Sequence, residues 1–128
     1  MAPEPILVVD DNPTNLKLLR VLLEAEGYTV RTAQDGEQAL AALRELRPRL
    51  VLMDLHLPGI SGLELTRQLK ADPATRDIPV LAVTASAREH DRQQALQAGC
   101  DGFLSKPIDT RALPGLVSRY LASCSPSN

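Results

Sequence analysis

Four short apolar runs, separated by stretches with helical patterning, limit the folds that are open to this chain. Each run has the length of a buried β-strand, and the runs are Ile6–Val9, Leu50–Met53, Pro79–Val83 and Gly102–Leu104. Strands that alternate with helices of about ten to fifteen residues are typical of repeated β–α–β units. The sequence therefore predicts an α/β fold with a doubly wound parallel sheet.

A further strand is predicted over Tyr28–Ala33, where apolar and polar residues alternate with a period of two. Such alternation indicates one exposed face, which suits a strand at the edge of a sheet. With the right-handed rule for crossovers, this edge position favours a five-stranded sheet in the order 2-1-3-4-5. The first and third strands are then neighbours at the point where the strand order reverses.

Helical patterning fills the gaps between the strands. Pro13 suits the first turn of a helix, and Gly27 and Gly99 suit the positions just after helix ends. Pro114 lies too deep for a helix that starts at Asp109, so we expect the regular last helix to begin near Leu113. The predicted helices run from Pro13 to just before Gly27, over Glu37–Leu46, from the loop Leu57–Gly62 to about Asp72, and over Arg88–Ala98 and Asp109–Ala122.

Length and composition fit one soluble domain over residues 1–128, with a core at about 5–122 and a polar tail at 123–128. Aromatic residues are only 2% of the chain, so Leu, Val, Ile and Ala must form the core. The net charge of −2 gives no reason to expect nucleic-acid binding. No apolar run approaches the roughly 20 residues that span a membrane.

The amino terminus lacks the positive region and apolar stretch of a signal peptide, and Cys100 and Cys124 lack metal-ligand spacing. We therefore expect a cytoplasmic protein with reduced thiols. Met1 and the polar tail favour a free-standing chain over a piece of a longer protein.

Polar side chains close the predicted strands on one side. Asp10 and Asp11 follow the first strand, Asp54 closes the third, Thr84 follows the fourth and Lys106 comes just after the fifth. The carboxyl ends of parallel strands share one edge of the sheet, where ligands bind in open α/β folds. Three carboxylates there would repel one another, so the sequence predicts a compensating divalent metal ion beside the lysine.

Each of these residues also has a simpler interpretation. Asp10 and Asp11 could cap the first helix, and Asp54 could be an ordinary acid at a strand end. Thr84 alone suits a turn, and Lys106 alone suits a solvated surface. The joint placement at one sheet edge favours the site over these separate roles.

Four segments, in this order and spacing, resemble the receiver domains of response regulators in two-component signalling. The segments are Val8–Asn12, Leu52–Pro58, Val83–Ala85 and Ser105–Pro107. The amino-acid sequence around these segments is similar to that of stand-alone receivers of the DivK kind and of receivers in hybrid kinases. The resemblance implies a CheY-like, flavodoxin-like fold of five β–α units. Ile60 and Pro114 depart from the usual family pattern, and neither affects the chemistry.

The resemblance also implies roles for the site residues. Asp54 is then the residue that is phosphorylated, and Thr84 and Lys106 contact the phosphoryl oxygens. Mg²⁺ is then bound by Asp11, Asp54 and the backbone carbonyl of His56, while Asp10 holds a metal-bound water. Phe103 matches the aromatic position that switches with Thr84, although core packing is an equally good interpretation. The isomer of the Lys106–Pro107 bond is not readable from the sequence.

The function that the resemblance implies is a signalling switch that catalyses only its own phosphorylation and dephosphorylation. Its partners are then a histidine kinase or phosphotransfer protein and a downstream protein target, with the chain a monomer or weak dimer. An aspartate-based phosphatase is disfavoured because His56 stands where such enzymes carry a second carboxylate. A flavin carrier is disfavoured by Asp10 and Asp11, which would repel phosphate. The presence of all the acidic residues that phosphorylation needs disfavours the hypothesis of a receiver that works without phosphorylation.

The first helix carries more apolar residues than one buried stripe can hold, since six of the eight residues from Leu16 to Leu23 are apolar. We place Leu18, Leu19 and Leu22 on the buried face, which leaves Leu16 and Val21 outside it. An exposed Leu16 beside the acidic residues is then a candidate contact for a phosphodonor protein, or an ordinary scattered surface leucine.

Overall fold

The computed structural model describes residues 5–45, 47–55, 57, 59–84, 89–105 and 111–123. Strands and helices alternate along this part of the chain. The strands are β1 (Ile6–Val9), β2 (Val30–Ala33), β3 (Leu50–Asp54), β4 (Val80–Thr84) and β5 (Gly102–Ser105). The helices are α1 (Pro13–Ala25), α2 (Gly36–Glu45), α3 (Gly62–Ala71), α4 (Glu89–Ala98) and α5 (Leu113–Ser123).

The five strands are all parallel and lie in the order β2-β1-β3-β4-β5. Ile6 of β1 pairs with Val30 of β2 on one side and with Leu50 of β3 on the other. The predicted fold class and strand order are therefore confirmed. The exposed pattern of β2 matches its edge position, while every residue of β1, β3 and β4 is buried.

The sheet separates two apolar cores, because successive residues of a strand point to opposite faces. Ile6 and Val8 pack on one face with residues of α1 and α5, namely Leu16, Leu19, Leu23, Leu113 and Val117. Leu7 and Val9 pack on the other face with residues of α2, α3 and α4, namely Ala39, Ala42, Leu65, Leu69 and Ala95. Helices on both faces make the sheet doubly wound, as the sequence predicted.

Side-chain caps and glycines set the helix ends. The side-chain oxygen of Asn12 accepts hydrogen bonds from the backbone N–H groups of Thr14 at 2.9 Å and Asn15 at 3.4 Å, so Asn12 caps α1. Pro13 occupies the first turn of this helix, as predicted. Gly27 and Gly99 have φ angles of 93° and 108°, the left-handed conformation that the sequence predicts after α1 and α4.

Some helix and strand boundaries in the structure differ from the predicted ones by one or two residues. β2 begins at Val30 and not at Tyr28, because only Val30–Ala33 pair with β1. Arg111 and Ala112 form a turn and α5 begins at Leu113, which confirms the predicted late start of the last helix. Leu46, Arg88, Asp109 and the tail from Cys124 onward lie outside the described residues.

The predicted orientation of α1 is wrong. Leu16 is only 5% exposed and packs with Leu19 and Leu23, whereas Leu18 is 43% and Val21 55% exposed. Leu16, Leu19 and Leu23 follow the spacing of one helical face. A helix this rich in leucine fits two orientations, and packing against β1 selects this one. Leu16 is therefore a core residue and not a candidate docking contact.

No helix within the described residues is both long and apolar enough to cross a membrane.

We predict that Leu16→Lys lowers the free energy of unfolding by about 3 kcal/mol, because it buries a charge without a partner. Val21→Lys is the matched control on the exposed face of the same helix, and it should change that free energy by less than about 0.5 kcal/mol. Urea denaturation of both variants measures the difference. Equal destabilisation by the two substitutions would contradict this orientation of α1.

Candidate functional site

The pairing of β1 with β3 brings the acidic residues together. Val9, the last residue of β1, is in register with Met53 of β3, so Asp10 and Asp54 come next on adjacent strands. Alternation along the strands sends both side chains toward the face that carries α1. This position is the switch point of the sheet, where the chain leaves β1 toward one face and β3 toward the other.

Asp10, Asp11 and Asp54 form a compact acidic cluster at this point. One carboxylate oxygen from each lies within 4.8 Å of the others. In the described part of the chain, no other group of three or more acidic, histidine or cysteine side chains is placed to share one ion. Asp10 is 2% and Asp54 3% exposed, whereas Asp11 is open to solvent. The predicted convergence of the three acids is therefore present in the fold.

The start of α1 partly compensates the negative charge. One oxygen of Asp10 accepts a hydrogen bond from the backbone N–H of Asn12 at 2.9 Å. Its other oxygen lies 3.5 Å from the side-chain amide nitrogen of Asn15. The amino terminus of a helix also carries a partial positive charge that favours anions. Asn12, and not Asp10 or Asp11, is therefore the cap of α1, so the capping interpretation of these two acids is wrong.

Three carboxylates at this spacing repel one another. At 4.8 Å two unit charges repel by roughly 1 kcal/mol in water, and by several times that in partly buried surroundings. The donor set fits a small hard cation, since Mg²⁺ prefers oxygen ligands and keeps several of its waters. Asp11 is exposed, so this side of the cluster is in contact with solvent.

Thr84 ends β4, the strand next to β3, and is fully buried. It pairs with Ser105 of β5, the residue that precedes Lys106 in the sequence. The fold therefore puts Thr84 at the same sheet edge as Asp54. Lys106, Pro107 and His56 lie outside the described residues, so their predicted roles remain predictions.

Phe103 lies in β5 and is partly buried against the core that contains α2, α3 and α4. This packing agrees with the core interpretation and leaves the switch role a prediction. One further residue in contact with the Asp54 backbone could not be predicted from the sequence. Gly62, the first residue of α3, packs directly on the backbone of Asp54 and Leu55. A single glycine before a helix carries no sign of such a contact.

Known proteins match this arrangement over nearly the whole chain. The family model of the response regulator receiver domain matches residues 6–118. The polar-differentiation response regulator DivK of Brucella anthropi is 44% identical over 119 residues, which are 93% of this chain and 97% of that protein.

Two solved structures extend the comparison. A receiver domain of a signal transduction histidine kinase from Syntrophus aciditrophicus is 33% identical with a TM-score of 0.89, and the match covers 98% of this chain and 95% of that one. The receiver domain of a sensor histidine kinase from Pseudomonas aeruginosa is 36% identical with a TM-score of 0.86, and the match covers 94% and 99%. The latter structure has a magnesium ion coordinated in its active-site cleft.

The parallel fold and the acidic cluster at its switch point thus define a signalling module of the two-component type. The chain belongs to the family of response regulator receiver domains. Members of this family are signalling switches and not typical enzymes. The resemblance inferred from the four sequence segments is confirmed.

We predict that Asp11→Asn stabilises the protein in the presence of EDTA by about 0.5 to 1 kcal/mol, because it removes repulsion within the cluster while Asp11 remains partly screened by solvent. Asp77→Asn removes an exposed carboxylate from the turn before β4 and is the control. Urea denaturation in EDTA measures both variants. A gain no larger than that of Asp77→Asn would show that the acids do not repel appreciably.

Proposed function

We propose that this chain is a phosphoacceptor switch in which Asp54 receives a phosphoryl group while Asp10, Asp11 and Asp54 hold Mg²⁺. The observation that carries the proposal is the approach of three carboxylates within 4.8 Å at the switch point of the sheet. The family membership and the magnesium ion in the Pseudomonas relative support it.

The chemistry follows from the placement of Asp54. A carboxylate oxygen of Asp54 attacks phosphorus, and an O–P bond forms as the bond from phosphorus to the donor breaks. The leaving group departs with the electron pair of that bond. Burial at the end of β3 limits the orientations of the Asp54 side chain, so the attacking oxygen is held in place. Bound Mg²⁺ would neutralise charge on the carboxylates and on the phosphoryl oxygens.

The other site residues take the roles that the family resemblance implies. We assign the Thr84 hydroxyl and the Lys106 ammonium to the phosphoryl oxygens, and the His56 carbonyl to the metal. We assign Asp10 to a metal-bound water and Phe103 to the switch with Thr84. The burial of Thr84 at the same sheet edge as Asp54 supports the first of these assignments.

The phosphodonor is proposed to be a histidine kinase or phosphotransfer protein that docks on α1. Leu18 and Val21 are 43% and 55% exposed on this helix, which begins two residues after Asp11. A groove of about 410 Å³ runs beside Val21, with Lys17, Arg20 and Thr32 among its other lining residues. An exposed apolar pair on the helix that begins beside the acidic cluster suits a partner that must bring its phosphohistidine to Asp54.

The output is proposed to be a changed contact with a downstream protein. Modification of Asp54 would move Thr84, and the connection from β4 to α4 and the face formed by α4, β5 and α5 would respond. The chain would catalyse its own phosphorylation and dephosphorylation without being a turnover enzyme. A cytoplasmic location, one domain over residues 1–128 and a monomer or weak dimer remain our predictions.

We predict that incubation with acetyl phosphate and Mg²⁺ adds one phosphoryl group to the wild-type chain and none to Asp54→Ala, because the variant lacks the nucleophile. Intact mass spectrometry measures the addition. Asp77→Ala, outside the site, should be phosphorylated like the wild type. Omission of Mg²⁺ should abolish the addition. A phosphoryl group on Asp54→Ala would overturn the assignment of the acceptor.

We predict that Val21→Lys and Leu18→Lys slow phosphotransfer from a kinase at least fivefold but leave phosphorylation by acetyl phosphate unchanged, because a small donor needs no docking surface. In the test, each histidine kinase of the host organism is autophosphorylated with a radiolabel and mixed with one variant at a time. The rate at which the label moves to the variant is then measured. Leu96→Lys is the matched control, since Leu96 is 54% exposed on α4. An unchanged rate of phosphotransfer from the kinase to the α1 variants would overturn the proposal that the kinase docks on this helix.

A further inference from the structure

Helix α3 begins in direct contact with the backbone that carries Asp54. The N–H of Gly62 donates a hydrogen bond to the carbonyl oxygen of Leu55 at 3.2 Å. A Cβ atom on Gly62 would overlap the carbonyl oxygen of Asp54, and would lie 2.7 Å from Cα of Leu55 and 2.9 Å from the carbonyl carbon of Asp54. All three are backbone atoms, so no side chain can move aside to make room. The approach is possible only because residue 62 has no side chain.

Two buried hydrogen bonds connect the carbonyl group of Gly62, through Thr66, to Cys100 just after α4. Thr66 is fully buried, and its hydroxyl donates to the carbonyl oxygen of Gly62 at 2.8 Å. The thiol of Cys100 donates in turn to the Thr66 hydroxyl oxygen at 3.9 Å. Burial raises the pKa of the Cys100 thiol, which keeps its proton available for this contact.

The other side of the Asp54 turn is held by the sheet. The N–H of Leu55 donates to the carbonyl oxygen of Val83 in β4 at 3.1 Å. The peptide that follows Asp54 is therefore fixed between β4 and the first turn of α3. A displacement on the α3 side would rotate this peptide and change the direction of the Asp54 carboxylate.

We infer that Gly62 is a positioning residue for the acidic cluster: it lets α3 press on the Asp54–Leu55 backbone, and this contact sets the Asp54 carboxylate at the spacing from Asp10 and Asp11 that binds a divalent cation. The inference rests on the proposed function, because it names what sets the affinity of that same site. It requires that a single methyl group at residue 62 weaken cation binding beyond any effect on stability.

The size of the expected effect follows from the geometry. A Cβ in this space forces α3 or the Asp54 turn to shift, since contacts with backbone atoms below 3.0 Å are not tolerated. Mutation of a group that orients metal ligands without binding the metal typically costs roughly 10- to 100-fold in metal affinity. Because Mg²⁺ keeps waters that can bridge part of the gap, we expect the Mg²⁺ dissociation constant of Gly62→Ala to rise at least tenfold.

The test is isothermal titration of the full chain with MgCl₂, alongside urea denaturation of each variant. Gly115→Ala is the matched glycine control, because a Cβ at Gly115 in α5 meets no atom within 4 Å, and it should bind Mg²⁺ like the wild type. Leu23→Ala is the stability control. Leu23 is buried on the face of the sheet opposite α3, near the end of α1 that is far from the acids, so its loss should destabilise the fold by about 3 kcal/mol and leave Mg²⁺ affinity within twofold.

The outcomes separate a positioning role from a merely structural one. A tenfold or greater loss in Gly62→Ala that Leu23→Ala does not share supports the inference. Wild-type affinity in Gly62→Ala overturns it, as does an equal loss in Leu23→Ala. If Gly62→Ala does not fold, Thr66→Val decides. That variant removes the hydroxyl that holds the Gly62 carbonyl and should weaken Mg²⁺ binding at least threefold, with Thr66→Ser restoring it, and unchanged binding overturns the inference.

Failure of this inference differs from failure of the proposed function. If the wild type binds Mg²⁺ and takes one phosphoryl group on Asp54, and Gly62→Ala does the same with equal affinity, only the role of Gly62 is lost. If the wild type binds no Mg²⁺, the proposed function and the role of Gly62 are overturned together.

Discussion

The parallel pairing of β1 with β3 places two strand ends that carry carboxylates side by side, and the chemistry of the protein depends on this juxtaposition. The free energy that holds the strands together comes from apolar burial on both faces of the sheet. The sheet can therefore tolerate repulsion among Asp10, Asp11 and Asp54 at its edge. That repulsion is the source of the proposed affinity for a divalent cation, which a neutral cleft would lack.

Partial compensation keeps the acidic site intact without removing its charge. The amino terminus of α1 and the N–H of Asn12 stabilise Asp10, and the backbone around Asp54 is held by β4 and α3. Each of these contacts uses neutral dipoles or steric contact and leaves the net charge of the carboxylates in place.

Most of the fold and the centre of the site could be predicted from the residues, because both depend on local patterns. The apolar runs, the glycines after α1 and α4 and the late start of α5 all follow from short-range rules. The buried face of α1 could not be predicted correctly, since a run with leucine at most positions fits more than one orientation. Packing against Ile6 and Val8 buries Leu16 and leaves Leu18 and Val21 exposed. The roles of His56 and Lys106 still rest on the family resemblance.

The sequence by itself determined which residue types stand at the end of each strand, because that information is local and follows from periodicity. It also determined the strand order, through the half-exposed pattern of β2. Only the tertiary structure decided how close the three carboxylates come and which helix face meets the sheet. It alone showed that Gly62 touches the Asp54 backbone. Such contacts join residues distant in the chain through packing, and packing depends on all the neighbouring side chains together, which no single stretch of sequence contains.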